Sequence, residues 1–157
     1  LRIELFPRAD DGADANRLAV PMTIPDFDAI REDYLLLDDA EDRYRLLIDL
    51  GRALPPMPDA LKTEATKVRG CSADVWVYPV EDGARLTFLA DSNAHITKGI
   101  VALIVALVDR RTPHELLALD VQGALAPFDL SRQLSSNRTQ GIPNMIALVR
   151  ATAERLG

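Results

Sequence analysis

One cysteine, Cys71, and two histidines, His95 and His114, are the only thiol and imidazole metal ligands in this 157-residue chain. A single thiol forms no internal disulfide, and a conventional zinc or iron–sulfur site needs more thiolate and imidazole than this. No metal is therefore expected. Positive charge is also short: 18 Lys and Arg stand against 24 Asp and Glu, for a formal net charge of −6. With no dense basic patch, a polyanion such as nucleic acid is a poor partner. The longest apolar run, Gly99 to Val108, is about half the length of a membrane-spanning helix and reads as a buried core helix. Internal repeats and low-complexity linkers are missing from residues 22–157.

What is present suffices for one core. With 48% hydrophobic residues, a chain of this length buries roughly 70% of the surface its unfolded form exposes, and needs no disulfide to do so. The cysteine usage fits a reducing, cytoplasmic setting. Residues 1–21 are acidic and Ala-rich, with Arg2, Arg8 and Arg17 scattered among them. They lack the apolar stretch and small-residue cleavage site of an export signal. They read as a disordered or loosely docked N-terminal extension ahead of a single domain over 22–157, with Met22 a candidate start.

The periodicity then lays out an α+β domain. Pro25-Asp26 opens a helix carrying Phe27, Ile30, Tyr34 and Leu37 at helical spacing, with acidic residues at its positive end. A second helix from Asp39 to Leu54 has an apolar face of Tyr44, Leu47, Ile48 and Leu50, and Pro55, Pro56 and Pro58 end it. The aromatic and leucine positions of both are expected in the core. A short helical turn near Asp59–Thr63 leads to a loop, Val68 to Ser72. Val75-Trp76-Val77-Tyr78, the turn residues Glu81-Asp82-Gly83, and Arg85 to Leu89 predict an antiparallel hairpin. The most apolar helix follows, Ala94 to Asp109. Thr112-Pro113-His114-Glu115 has the form of a capping box with Pro at the first helical position, which leaves His114 on the surface. Asp120 to Leu134 reads as short helix plus loop. The last helix begins near Thr139 or Gln140 and ends at Leu156, with Ile142, Met145, Ile146 and Val149 facing inward.

By composition alone, a lone intracellular cysteine is most often a small buried hydrophobe. The surroundings of Cys71 argue for a nucleophile. Gly70 lets the backbone bend and leaves space beside the thiol, while Arg69 and nearby Lys67 favour the thiolate. A cysteine hydrolase would require a base, for which His95 is the sole neighbouring candidate, and no oxyanion motif accompanies it. A redox sensor would lack a resolving cysteine within the molecule.

Four blocks, in order over roughly residues 24–155, resemble the SufE family of sulfur acceptors. Asp39-Ala40-Glu41-Asp42-Arg43-Tyr44 through Leu50-Gly51-Arg52 and Leu54-Pro55 is similar to that family's N-terminal signature. Val68-Arg69-Gly70-Cys71-Ser72 with Val75-Trp76-Val77 resembles its active-cysteine motif. Asp91-Ser92, Ile96 and Lys98-Gly99 match a third block, and Leu134-Ser135 with Arg138-Thr139-Gln140-Gly141-Ile142 matches the last. Ala73, Asn93 and Ser136 stand where the family commonly has a polar residue, an acidic residue and proline.

The resemblance implies a small antiparallel sheet packed against several helices, akin to iron–sulfur scaffold proteins, with no cofactor. It implies that Cys71 takes persulfide sulfur from a pyridoxal-phosphate-dependent cysteine desulfurase, SufS-like or CsdA-like, stimulates that enzyme, and delivers sulfur to an iron–sulfur scaffold. Arg69, Gly70, Asp74 and Arg138 are the accompanying loop or partner-binding candidates. Trp76 is read as a core residue, and Asp91 and Lys98 as residues that fix a turn. A monomer or weak dimer suits a thiol that must enter another protein's active site. A noncatalytic regulator of a desulfurase and a thiol redox sensor are the alternatives.

Overall fold

The computed structural model describes residues 25–70, 73–130 and 141–156. The extension over 1–21 lies outside them. Helix α1 (Phe27–Leu36) starts where the Asp26 carboxylate accepts from the Asp28 N–H at 3.2 Å, and buries Phe27, Ile30 and Tyr34. The Tyr34 ring packs 4.8 Å from that of Phe128, and its hydroxyl donates to the Phe128 carbonyl at 2.8 Å. Leu37 is the C-cap rather than a further helical turn.

Helix α2 (Ala40–Ala53), capped by Asp39, buries Leu47, Leu50 and Gly51. Here the expectation that the aromatic and leucine positions of both helices are core fails in part: Tyr44 is 42% exposed, Ile48 only partly buried, and Leu35 and Leu36 of α1 are exposed. A phenol with a polar tip loses less by facing water than a leucine does, so Leu47 and Leu50 take the core positions.

A 3-10 turn, Asp59–Leu61, precedes strands β1 (Val75–Asp82) and β2 (Arg85–Ser92). They pair antiparallel from Val75 opposite Ser92 to Asp82 opposite Arg85. The strands run on through Glu81 and Asp82, so the turn is the two-residue Gly83-Ala84. Gly83 takes φ +63°, as tight hairpin turns require. Arg110 and Arg111 add a rung on the outer edge of β2, through Arg110 N–H to the Leu86 carbonyl and Leu86 N–H to the Arg111 carbonyl, each 2.8 Å.

Helix α3 (His95–Val108) is the centre of the core, buried along nearly its whole length between α2 and the sheet. Its approach to α2 is close. A Cβ on Gly99 would collide with the Leu47 carbonyl oxygen, and one on Gly51 would sit 2.8 Å from the Gly99 nitrogen. Helix α4 (Pro113–Ala118) has the capping box read from the sequence, with Thr112 and Glu115 bonded reciprocally, and His114 is exposed. Helix α5 (Val121–Leu125) and a 3-10 turn (Ala126–Phe128) follow. Helix α6 (Gly141–Leu156) closes the domain with Met145 and Val149 buried and Ile142 and Ile146 partly so. Among the described residues, no helix is long and apolar enough to cross a membrane.

Candidate functional site

The cysteine motif lies between two backbone clamps. Val68 N–H donates to the Val75 carbonyl at 2.8 Å, and Val77 N–H donates to the Thr66 carbonyl at 2.9 Å. Thr66 to Val68 thus form a partial third strand on the free edge of β1, with Lys67 opposite Trp76. Cys71 and Ser72, and likewise Arg138, lie outside the described residues. What is described is how the chain is held immediately before and after the cysteine.

On the leading side, Gly70 takes φ +85°, a conformation that favours glycine because it has no Cβ. Arg69 is exposed, and its carbonyl accepts from the Asn144 side-chain amide at 2.7 Å, tying the loop to the first turn of α6. Among the described residues, its guanidinium has no ion-pair partner.

On the trailing side, Asp74 is gripped by Asn93. Asp74 N–H donates to Asn93 Oδ1 at 3.0 Å, Asn93 Nδ2 returns a bond to Asp74 Oδ2 at 3.2 Å, and Asn93 N–H donates to the Asp74 carbonyl at 3.2 Å. Lys67 Nζ lies 3.0 Å from Asp74 Oδ1 and 3.8 Å from Glu64. Its hydrogen bond to Asp74, followed by the attraction of that charge, raises the Lys67 ammonium above its ordinary value. Two carboxylates therefore offset the Lys67 charge, and Arg69 is the freer cation of the pair named from the sequence.

A second polar cluster braces the sheet. Lys62 Nζ lies 2.7 Å from Asp91 Oδ2 and 5.6 Å from the Trp76 ring centroid, and Lys98 Nζ lies 3.3 Å from Asp91 Oδ1. Burial alone would raise the Asp91 carboxyl, but hydrogen bonds from Lys62, the Ser92 N–H and Lys98 outweigh it and hold it below the usual range. Asp91 and Lys98 thus fix the turn into α3, as the sequence implied. Trp76 is partly buried against Met57, Leu61 and Tyr78. His95 is exposed in the first turn of α3.

Asn144 and Lys62 escaped the sequence reading. Each lies in or beside a helix or turn whose apolar pattern drew attention to its neighbours, and only the weak helix preference of Asn set one of them apart. No group of three or more His, Cys, Asp or Glu among the described residues is placed to hold a metal ion.

Comparison with known proteins agrees with the four ordered blocks. Residues 28–153 match the family model SufE, described as an Fe-S metabolism associated domain. An uncharacterized SufE-like protein of Rhizobium meliloti (strain 1021) is 37% identical over 131 residues, covering 81% of this chain and 94% of that protein. The sulfur acceptor protein CsdE of Escherichia coli (strain K12) is 37% identical over 132 residues, covering 81% and 88% respectively. The solution structure of a hypothetical protein from Thermus thermophilus superimposes with a TM-score of 0.67 at 17% identity, over 83% of this chain and 94% of that one, and supports the fold.

Proposed function

The chain belongs to the SufE family, and from that premise we propose that Cys71 is a sulfur acceptor serving a pyridoxal-phosphate-dependent cysteine desulfurase. The observation that carries the reading is the doubly clamped loop: backbone bonds and the Asp74–Asn93 grip hold both ends of the segment that contains the chain's only thiol.

In the proposed step, the Cys71 thiolate attacks the outer sulfur of the desulfurase's cysteine persulfide. A new sulfur–sulfur bond forms on Cys71, the old one breaks, and the desulfurase cysteine leaves as thiolate. The proton carried by the outer sulfur stays with it, and no external oxidant or reductant is needed. Cys71 then passes the sulfur to an iron–sulfur scaffold, in a reducing cytoplasmic setting. Freed of its persulfide, the desulfurase turns over again, which is the basis of stimulation. The exposed Arg69, the partly buried Asp74 and Arg138 are proposed to contribute to the surface that meets the desulfurase, while Gly70, at φ +85°, supplies a bend just before the cysteine. The domain over 22–157 acts as a monomer or weak dimer, without a cofactor.

The test combines the full chain with its desulfurase and free cysteine, and measures sulfide release and intact mass. Wild type should stimulate turnover and gain one sulfur atom. Cys71→Ser should do neither while keeping the fold. Undiminished stimulation by Cys71→Ser would replace transfer with simple regulatory binding.

A further inference from the structure

A groove of about 460 Å³ opens between α6 and the chain that leads toward the cysteine motif, a volume within the ordinary range of small-ligand sites. Leu148, Val149, Thr152 and Arg155 line one side, at spacings that put them on one face of α6. The other side is the 3-10 turn and the bend after it, including Leu61 and Thr66. Val77, Tyr78 and Pro79 of β1 also line it. Consecutive strand residues point to opposite faces, so the groove runs along the edge of β1, beside the point where Thr66 pairs with it.

This edge does not suit an added peptide strand. The Val77 N–H is already bonded to the Thr66 carbonyl at 2.9 Å, and the next position on that side is Pro79, which has no N–H to donate. The hydroxyls in the groove are also engaged. Thr152 Oγ1 donates to the Leu148 carbonyl at 2.9 Å, Thr66 Oγ1 donates to the Leu61 carbonyl, and Tyr78 likewise has a partner. Arg155 is different: it is exposed, and among the described residues its guanidinium has neither a hydrogen bond nor an ion pair. The carboxylates on the opposite side, Asp59 and Glu64, are each paired with a lysine, Lys62 at 3.4 Å and Lys67 at 3.8 Å. An apolar slot therefore ends beside one uncompensated cation.

We propose that this groove binds a small monocarboxylate with an unbranched apolar tail, its carboxylate on Arg155 and its tail along α6 toward Leu148. From Arg155 to Leu148 the helix rises about 10 Å, which suits a medium-length chain. A guanidinium holds a carboxylate through paired N–H donors, and the tail adds affinity in proportion to the apolar surface it buries. A multiply charged ligand would meet a single free cation and walls of carbon. The site is independent of the acceptor reading, but it has a route to the cysteine motif: α6 is also the helix whose Asn144 holds the Arg69 carbonyl. Arg155 also stands in the last turn of α6, where a cation favours the helix end without any ligand, and the experiment separates the two roles.

The experiment titrates the full chain, without desulfurase, with hexanoate, octanoate, decanoate and octan-1-ol by calorimetry, and maps octanoate contacts by amide chemical shifts. Each added methylene should tighten binding by about threefold to fourfold. Octan-1-ol should bind more weakly than octanoate by about threefold to tenfold, and the octanoate shifts should centre on Val77, Tyr78, Leu148 and Thr152. Arg155→Gln should lose that same factor for octanoate and nothing for octan-1-ol. A variant that loses stability in urea yet keeps its octanoate affinity assigns Arg155 to the helix end alone and overturns the proposal. Leu148 is already 37% exposed, so Leu148→Asp should keep the fold and abolish octanoate binding. If it disturbs the fold, Leu148→Gln makes the comparison without a charge, and should weaken octanoate and octan-1-ol alike. Absence of saturable binding, shifts centred elsewhere, or equal affinity of wild type for acid and alcohol also overturns the proposal.

Discussion

Asn144 and Arg69 stand 75 residues apart in sequence and are joined at 2.7 Å, side-chain amide to backbone carbonyl. The bond ties the last helix to the residue just before Gly70, so α6 helps set the course of the chain into the cysteine motif. Because the bond is exposed, its net worth is about 0.5–1 kcal/mol, too little to change global stability much. Asn144→Ala should leave the melting temperature within a few degrees while speeding amide exchange at Arg69 and Gly70 by up to about tenfold. Unchanged exchange at those two amides would mean that the Val68–Val75 pair alone holds the stem.

On the other side of the motif, Asn93 both accepts from and donates to Asp74. A carboxamide does both through separate atoms, an oxygen that accepts and a nitrogen that donates. Asn93→Asp, the residue type common at this position in the family, loses the donor and sets a second carboxylate against the first. At neutral pH the variant should be less stable by about 1 kcal/mol, with the loss reduced at high salt. Denaturant unfolding at low and high ionic strength checks this; a loss that ignores salt would assign the effect to the missing hydrogen bond alone.

Local pattern carried much of the fold into the sequence reading. The capping box at Thr112, the hairpin and the apolar run of α3 depend on residues within a few positions of one another. What stayed hidden was contact at a distance. No periodicity brings Asn144 to Arg69 or Lys62 to Asp91, since each pairing depends on how finished elements dock. Tyr44 failed for a related reason: helical spacing marks an apolar stripe but not where its margin meets water. The role proposed for Cys71 comes through resemblance, since the chemistry of a single Gly-Cys pair is ambiguous by itself.

Gly51 and Gly99 belong to the blocks that resemble the family, and the α2–α3 contact gives them a physical reason. Helix propensity alone predicts that Gly99→Ala stabilises by up to about 1 kcal/mol. The collision of the new Cβ with the Leu47 carbonyl reverses the sign, because backbone cannot step aside as a side chain can. The expected outcome is a loss of about 1–3 kcal/mol by urea unfolding. Gly51→Ala presses on the same contact, so the double variant should cost less than the two single losses added. A stabilised Gly99→Ala chain would show that the two helices separate readily.

Asp109 caps the far end of α3, with its side chain 4% exposed. Its Oδ1 accepts from the Phe88 N–H at 2.9 Å, and Arg110 Nε is 4.0 Å from Oδ2. Burial pushes the carboxyl up to about 6 from the ordinary 3.8, against the opposing pull of the Phe88 bond and the Arg110 charge. A raised folded value means that the folded chain holds this proton more tightly than the unfolded chain does. The stability it contributes is fully present below about pH 4 and is lost as pH rises through about 6, a change of up to about 3 kcal/mol. Asp109→Asn retains an acceptor for Phe88 and never ionises. Relative to wild type it should be nearly equal in stability at pH 4 and more stable by about 1–3 kcal/mol at pH 7.5. Other carboxylates change the absolute curve of both proteins alike, so the difference between the two curves isolates Asp109. If that difference is flat from pH 4 to 7.5, Asp109 ionises in the folded chain without penalty, and the link between α3 and β2 is indifferent to its charge.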